Sequence, residues 1–288
     1  MTIAQALKDG CMKLAAAGVP DSRLDGEYLL AHVLGTSRLE LVLQSREALS
    51  PEALGQFQAL LCRRAERIPL QYLVGSQDFM GRTFYVDERV LIPRPETEIL
   101  CELALQWLSN AQIPSPGVLD LCTGSGALGV SIALNAPNAQ VTAADLSADA
   151  LQAAQRNAEA LQAKVTFAKG DFLDAVKGQV FDLIVCNPPY IPVSVCPTLQ
   201  PEVLWEPYMA LCGGEDGLYF YKKLSREAPS FLRPGGALFC EVGDGQAEDV
   251  VNLFQPCFLK VEAFSDLSGI LRVVYAQNPN PVYGGAHV

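Results

Sequence analysis

Asn187, Pro188, Pro189 and Tyr190 follow almost directly on the apolar run Phe181-Asp182-Leu183-Ile184-Val185. Proline fixes φ and has no N–H to give a sheet ladder, so a strand through that run must stop here. What stands at its end is a rigid corner rich in acceptors: the Asn187 side-chain oxygen and two carbonyls whose own residues bring no competing donor. Such a corner suits the alkylation of an amide-like or aryl-amine nitrogen. The lone pair of that nitrogen is shared with a π system, and breaking peptide conjugation completely costs roughly 18–20 kcal/mol. Only part of this is needed if the Asn187 oxygen and the Pro188 carbonyl hold both N–H groups and aim the lone pair at an electrophile. Preorganised dipoles and near-attack geometry are large terms in catalysis. Tyr190 can lie against the flat group. No general base is needed beforehand, because the alkylated nitrogen becomes acidic and loses its proton afterwards.

Three further signals lie upstream. In Leu119-Asp120-Leu121-Cys122-Thr123-Gly124-Ser125-Gly126-Ala127-Leu128-Gly129 a strand runs into a tight turn and then a helix. Glycine lets a ligand approach the backbone, the helix N-terminus offers free N–H groups, and open α/β sheets bind ligands at strand carboxyl ends. Asp145 follows about twenty residues beyond the glycines at the end of the next strand, where an acid can take both hydroxyls of a ribose. It could equally cap a helix, although Ser147 is as good a cap. Asp171 and Phe172 end the third strand, where a carboxylate can accept from an adenine amino group and a ring can cover the base. These pieces accommodate an adenosine or an NAD, and the spacing of Gly124, Gly126 and Gly129 formally fits a dinucleotide turn. Hydride transfer has no use for the Asn187 corner, which decides against a dehydrogenase.

The elements that must position these residues are legible as patterns. Residues 1–75 read as helices alone, broken at Gly18-Val19-Pro20 and Ser50-Pro51. Residues 76–94 alternate bulky and polar side chains as a hairpin. Pro95 opens a helix, with Glu96 and Glu98 near its positive end. From there to residue 277 strand and helix alternate, which predicts an α/β fold: a mostly parallel, doubly wound sheet with helices on both faces. Its last two strands are separated only by Leu267-Ser268-Gly269, so one of them runs antiparallel. The tail 278–288 is expected to be frayed.

Composition limits the partners. Of 288 residues 50% are hydrophobic and 18% charged, with a formal net charge of −11, which argues against a chain held mainly on nucleic-acid phosphates. Nine cysteines without a C-x-x-C pair fit a reduced, cytoplasmic protein better than a disulfide framework. Two histidines make a zinc site a poor expectation. No signal core and no membrane span are read in the sequence.

With the Asn187–Tyr190 corner placed after the glycine turn, the chain resembles the S-adenosylmethionine-dependent methyltransferases with a seven-stranded, Rossmann-like sheet. More closely, it resembles the peptide chain release factor glutamine N5-methyltransferases, the PrmC/HemK family. The likeness runs through nearly the whole chain: Ile92-Pro93-Arg94-Pro95-Glu96-Thr97-Glu98, the glycine turn, Asp145, Gly170-Asp171-Phe172, the corner, Glu206-Pro207, Gly213-Gly214-Glu215-Asp216-Gly217-Leu218 and Glu241-Val242-Gly243 come in the family's order. The resemblance implies that Cys122, Thr123, Gly124, Ser125 and Gly126 hold the methionine part of S-adenosylmethionine. It likewise assigns the ribose to Asp145 and the adenine to Asp171 and Phe172. Asn187, Pro188, Pro189 and Tyr190 would bind and turn the substrate amide, with Asn187 also against the cofactor, while Phe79, Arg94 and Glu96 shape the substrate mouth. Cys122 stands where many relatives have glycine, and Phe172 where some have tryptophan; both replacements are small enough changes to leave the roles intact.

The implied substrate is the glutamine of the Gly-Gly-Gln loop of class I release factors. The implied architecture is a release-factor docking domain at 1–75, a hairpin linker at 76–94, the methyltransferase domain at 95–277 and a tail, acting as a monomer with no metal and no direct nucleic-acid contact. Arg63, Arg64 and Arg67 fall on one predicted helix, either as a solvated face or as a patch for an acidic partner. The proline-containing loop 191–207 has the length of a lid. Two alternatives share the chemistry: glutamine methylation of a ribosomal protein, and N6-adenine or N2-guanine methylation of nucleic acid. The latter usually brings a basic groove, which this acidic chain does not advertise.

Overall fold

The structure, a computed structural model, describes residues 1–281. The expected tail lies outside the described residues from position 282 onward, and its first residues are not frayed: the last strand runs to Pro279 and the Asn280 N–H donates to the Cys257 carbonyl at 2.9 Å. The chain divides into two compact units, Met1–Ser76 with Leu199–Trp205, and Gln77–Thr198 with Glu206 onward.

The first unit is helical: α1 (Ile3–Ala16), α2 (Ser22–Leu34), α3 (Arg38–Leu43), α4 (Pro51–Ala65) and α5 (Leu70–Val74). Thr2, Ser37 and Ser50 each accept a backbone N–H in the first turn of the helix they open, and Ser37 with Glu40 forms a capping box. Leu14, Leu29, Leu30, Leu41, Phe57 and Leu61 form its core. Of the three arginines Arg63 stays exposed, while Arg64 and Arg67 are committed within the unit and are not free for a partner. Arg64 is buried and donates to Asp25 at 2.6 Å and to Glu202 at 2.8 Å, and Arg67, beyond the end of α4, makes two 2.6 Å bonds to Glu202. These bonds pin Glu202, in the middle of the expected lid.

The second unit begins with the hairpin β1 (Ser76–Phe79) and β2 (Arg82–Tyr85), then α6 (Pro95–Ala111). The alternation follows as β3 (Gly117–Leu121), α7 (Ala127–Asn135), β4 (Gln140–Asp145), α8 (Ala148–Ala160), β5 (Val165–Lys169) and β6 (Phe181–Cys186). It closes with α9 (Tyr208–Leu211), α10 (Tyr219–Phe231), β7 (Leu232–Glu241), α11 (Ala247–Phe254), β8 (Phe258–Ser265) and β9 (Leu271–Pro279). Seven strands form one sheet in the order β5-β4-β3-β6-β7-β9-β8, parallel except for β9, which is antiparallel to both neighbours.

Every residue of β6 is buried, because both faces of the sheet are covered. Leu183 and Val185 pack with Leu100, Ala104 and Val130 of α6 and α7. Ile184 and Cys186 point the other way, to Tyr221, Leu224 and Val250 of α10 and α11. The chain leaves β3 for β4 and β5 on one side and returns to β6 on the other, so the carboxyl end of β3 is a topological switch point, where such sheets form a crevice.

Candidate active site

The crevice is a cavity of about 360 Å³, within the usual range of small-ligand sites. Its lining includes Cys122, Gly124, Asp145, Asp171, Phe172, Asn187 and Pro189, with Arg89, Tyr208 and Phe220 completing the wall. Four successive strands, β3 to β6, thus deliver their trailing residues to one space.

The turn after β3 is left-handed at alternate residues: φ is +62° at Cys122, +55° at Gly124 and +80° at Gly126. Its five residues divide by role. Cys122 and Gly124 face the cavity, and the Cβ that Gly124 lacks would have no protein atom within 4 Å. Thr123, Ser125 and Gly126 are not among the lining residues and hold the turn in shape. Thr123 donates its hydroxyl to Asp120, Ser125 gives its carbonyl to Asn157, and a Cβ on Gly126 would meet Ala154 at 2.9 Å.

Asp120 was not singled out by the sequence. Its carboxylate is buried at the end of β3 and accepts from Thr123 and, at 2.8 Å, from the Gly129 N–H in the first turn of α7. Burial pushes its carboxyl up to about 7, against those two hydrogen bonds and with Asp145 adding in the same sense. Gly129 leaves the room it needs: a Cβ there would stand 2.7 Å from Asp120 Oδ2.

Asp145 is oriented by the backbone. One oxygen accepts from Gly124 and the other from Ser147, both at 2.9 Å, and a carboxylate with about four lone-pair sites keeps acceptor capacity on this cavity-lining residue. Ser147 itself caps α8 through Ala150. Burial raises the Asp145 carboxyl, while the backbone donors of Ser147, Gly124 and Leu146 hold it down. Asp171 and Phe172 lie past the end of β5 rather than on it, at the start of a 3₁₀ turn, with Phe172 at φ +55°. The Phe172 ring leans on Phe220 at 5.6 Å, and Lys223 pairs with Asp171 at 3.2 Å.

The Asn187 corner is packed by glycines. A Cβ on Gly213 would lie 2.7 Å from Tyr190 Cα, and one on Gly217 2.4 Å from the Tyr190 carbonyl oxygen. Gln246 donates to that same carbonyl at 2.9 Å. Asn187 Nδ2 donates to Thr97 at 3.1 Å, so its Oδ1 remains as acceptor. Arg94 pairs with Glu206, whose second oxygen accepts the Ile92 N–H at 3.0 Å; this ties the segment before α6 to the one after the loop. Glu96, half-buried, acts electrostatically on Tyr190 and Glu241. Phe79 is corrected: it is 1% exposed, edge-on to Phe84 in the sheet's core, and has no surface to offer a substrate. Asn157, Thr97, Glu206 and Glu241 were missed as parts of the site's framework. The only sequence signal for three of them was their place in quoted motifs.

Sheet order, switch-point cavity and acceptor corner define the class: a Rossmann-like methyltransferase. Known proteins agree. Residues 5–75 match the PrmC N-terminal domain model and residues 98–195 the methyltransferase small domain model. The release factor glutamine methyltransferase of Geobacter sulfurreducens is 44% identical over 91% of this chain and 91% of its own length. That of Deinococcus radiodurans is 39% identical over 96% and 99%. Among solved structures, the T. thermophilus 16S rRNA N2 G1207 methyltransferase in complex with AdoMet and guanosine superposes with a TM-score of 0.54 at 22% identity, over 70% of this chain and 49% of that one. A methyltransferase from Pyrococcus furiosus gives 0.53 at 20%, over 75% and 98%. The chain belongs to the release factor glutamine methyltransferase family.

Proposed function

We propose that the protein methylates the side-chain amide nitrogen of the Gly-Gly-Gln glutamine of class I release factors, with S-adenosylmethionine as methyl donor. The observation that carries this reading is the Asn187 corner: an amide whose nitrogen is committed to Thr97 and whose oxygen is left for a donor, at the edge of a nucleoside-sized cavity. The cavity suits the cofactor by its chemistry. Asp145 keeps lone pairs for a ribose, Phe172 and Phe220 offer ring surface for a base, and the space over Gly124 is what a side chain would otherwise fill. The bound cofactor supplies an electrophilic methyl group on a sulfonium.

The chain's own residues do the rest. Asn187 Oδ1 and the Pro188 carbonyl accept the two N–H groups of the glutamine amide and fix its plane, and Tyr190 supports that plane. Thr123, Ser125 and Gly126 hold the turn beside Cys122 and Gly124 in shape. Arg94 and Glu96 contribute to the mouth, while the helical unit grips the body of the release factor. All nine cysteines are free, which supports a reducing, cytoplasmic location. No helix among the described residues is long and apolar enough to cross a membrane.

The test is to incubate the protein with S-adenosylmethionine and, in parallel, a class I release factor, ribosomal proteins and ribosomal RNA. Mass spectrometry should find one added methyl on the Gly-Gly-Gln glutamine. Methyl in RNA or in a ribosomal protein instead would keep the chemistry and overturn the partner.

A further inference from the structure

Behind the Asn187 corner lies a buried chain of polar side chains. Asn187 Nδ2 donates to Thr97 Oγ1 at 3.1 Å, and Thr97 Oγ1 donates to Glu241 Oε2 at 2.6 Å. The other carboxylate oxygen faces the Tyr190 hydroxyl at 3.5 Å, and the Tyr221 hydroxyl holds the Glu241 backbone carbonyl at 2.9 Å. Thr97 is 6% exposed and Glu241 2%. They come from the first turn of α6 and the last residue of β7, so only the fold brings them together.

An amide side chain turned over exchanges acceptor for donor. For Asn187 that exchange is decisive, because an NH₂ toward the cavity would meet the substrate's N–H groups donor to donor. A hydroxyl that donates to a carboxylate has only lone pairs left for its other neighbour. While Glu241 is ionised, Thr97 can therefore only accept from Asn187, which turns Nδ2 inward and Oδ1 outward. Once Glu241 is protonated it can donate to Thr97, whose hydroxyl proton then seeks Asn187 Oδ1 and favours the reversed amide.

We propose that Thr97 and Glu241 are positioning residues that set the amide orientation of Asn187, and that the corner accepts substrate only when Glu241 is ionised. The proposal rests on the glutamine-methylation reading and deepens it. The titratable and hydrogen-bonding groups around Glu241 are Thr97 and Glu96 of α6, Tyr190 after β6, Tyr221 of α10, Cys240 of β7 and Arg272 of β9. Burial pushes its carboxyl up to about 7, with Thr97, Arg272 and Tyr190 opposing and Glu96 adding. The change of state thus falls within the range where an enzyme can be assayed.

The test measures kcat and KM for a class I release factor from pH 5.5 to 9 at saturating S-adenosylmethionine, in the wild type, Thr97→Val, Thr97→Ser and Glu241→Gln. Cofactor affinity is measured alongside by calorimetry. The wild type should lose activity on the acid side with a midpoint near about 7. Thr97→Val should lower kcat by about 100-fold, the scale of a misplaced reacting group, with cofactor affinity little changed. Thr97→Ser should restore most of the loss, and Glu241→Gln should abolish the acid limb. A Thr97→Val enzyme with wild-type kcat, a serine variant as impaired as the valine, or an acid limb that survives Glu241→Gln would overturn the proposal. A wild type that binds the cofactor yet methylates no glutamine at any pH would overturn the underlying reading instead.

Discussion

Asn157 donates to the carbonyl of Ser125 at 2.8 Å, fastening the glycine turn to α8. The same amide pairs twice with the backbone of Tyr85, donating at 3.0 Å and accepting at 2.7 Å, so one buried side chain joins hairpin, helix and turn. Asn157→Ala removes three hydrogen bonds and strands three backbone groups. At about 1 kcal/mol each, and more where a buried group is orphaned, the loss of stability should be about 3 kcal/mol in urea unfolding. Calorimetry should show weaker cofactor binding as well. A loss well under 1 kcal/mol would mean that the turn holds its shape without the tie.

Two glycines of one motif should fail in different ways. Glycine to alanine inside a helix ordinarily stabilises by up to about 1 kcal/mol. Gly129→Ala in α7 should reverse that sign by roughly 2 kcal/mol or more, since the new methyl would crowd the buried Asp120 carboxylate and its two hydrogen bonds. Gly124→Ala meets no protein atom and bears only the strain of its positive φ, about 1–2 kcal/mol. Its methyl would instead occupy cavity space, and cofactor affinity should fall by at least about tenfold. Thermal melts and calorimetry on the pair separate the two failures; equal losses of binding and stability in both variants would contradict this division.

That division marks how far the sequence could be read. Local patterns sufficed for the long helices, the alternation after Pro95 and the glycine turn, because each has a period or a breaker of its own. They did not suffice for α3 and α5, which at six and five residues are too short to show a helical period. Nor could spacing say which turn residues face a ligand: Thr123 and Ser125 look like neighbours of Gly124 but serve Asp120 and Asn157. Phe79 and Arg64 were misread for the same reason. An aromatic in a hairpin and an arginine on a helix look exposed until the elements that bury them are known.

Asp120 makes stability depend on pH. Its carboxyl, pushed from 3.8 to about 7 by burial, keeps a proton between those values that the unfolded chain has released. Its contribution is therefore full below the unfolded value and is lost as pH rises through the folded one, at up to about 1.4 kcal/mol per pH unit. Both donors converge on the single oxygen Oδ2, which the amide oxygen of Asp120→Asn can replace. The variant should flatten the fall in Tm between about pH 5 and 7, leaving the similar share of Glu241. An unchanged slope would show that Asp120 is ionised throughout.

Gly217→Ala tests the packing of the corner. At φ +73° its methyl would stand 2.4 Å from the Tyr190 carbonyl and 2.6 Å from Gln246 Nε2, so the corner must move. Steady-state kinetics should show kcat lower by about 100-fold. Cofactor affinity should change little, because Gly217 is not among the residues lining the cavity. A kcat near that of the wild type would mean that the corner tolerates displacement and that its precision is not what drives transfer.

The central claim is that Asn187 holds the glutamine amide for methylation, and single-turnover methyl transfer to a class I release factor by Asn187→Ala tests it most directly. With enzyme and cofactor in excess, the rate constant should fall by about 100- to 1000-fold against the wild type, the scale of losing a preorganised group aimed at the reacting atom. A rate constant within about tenfold of the wild type would show that the corner is a strand terminator and that the substrate amide is held elsewhere.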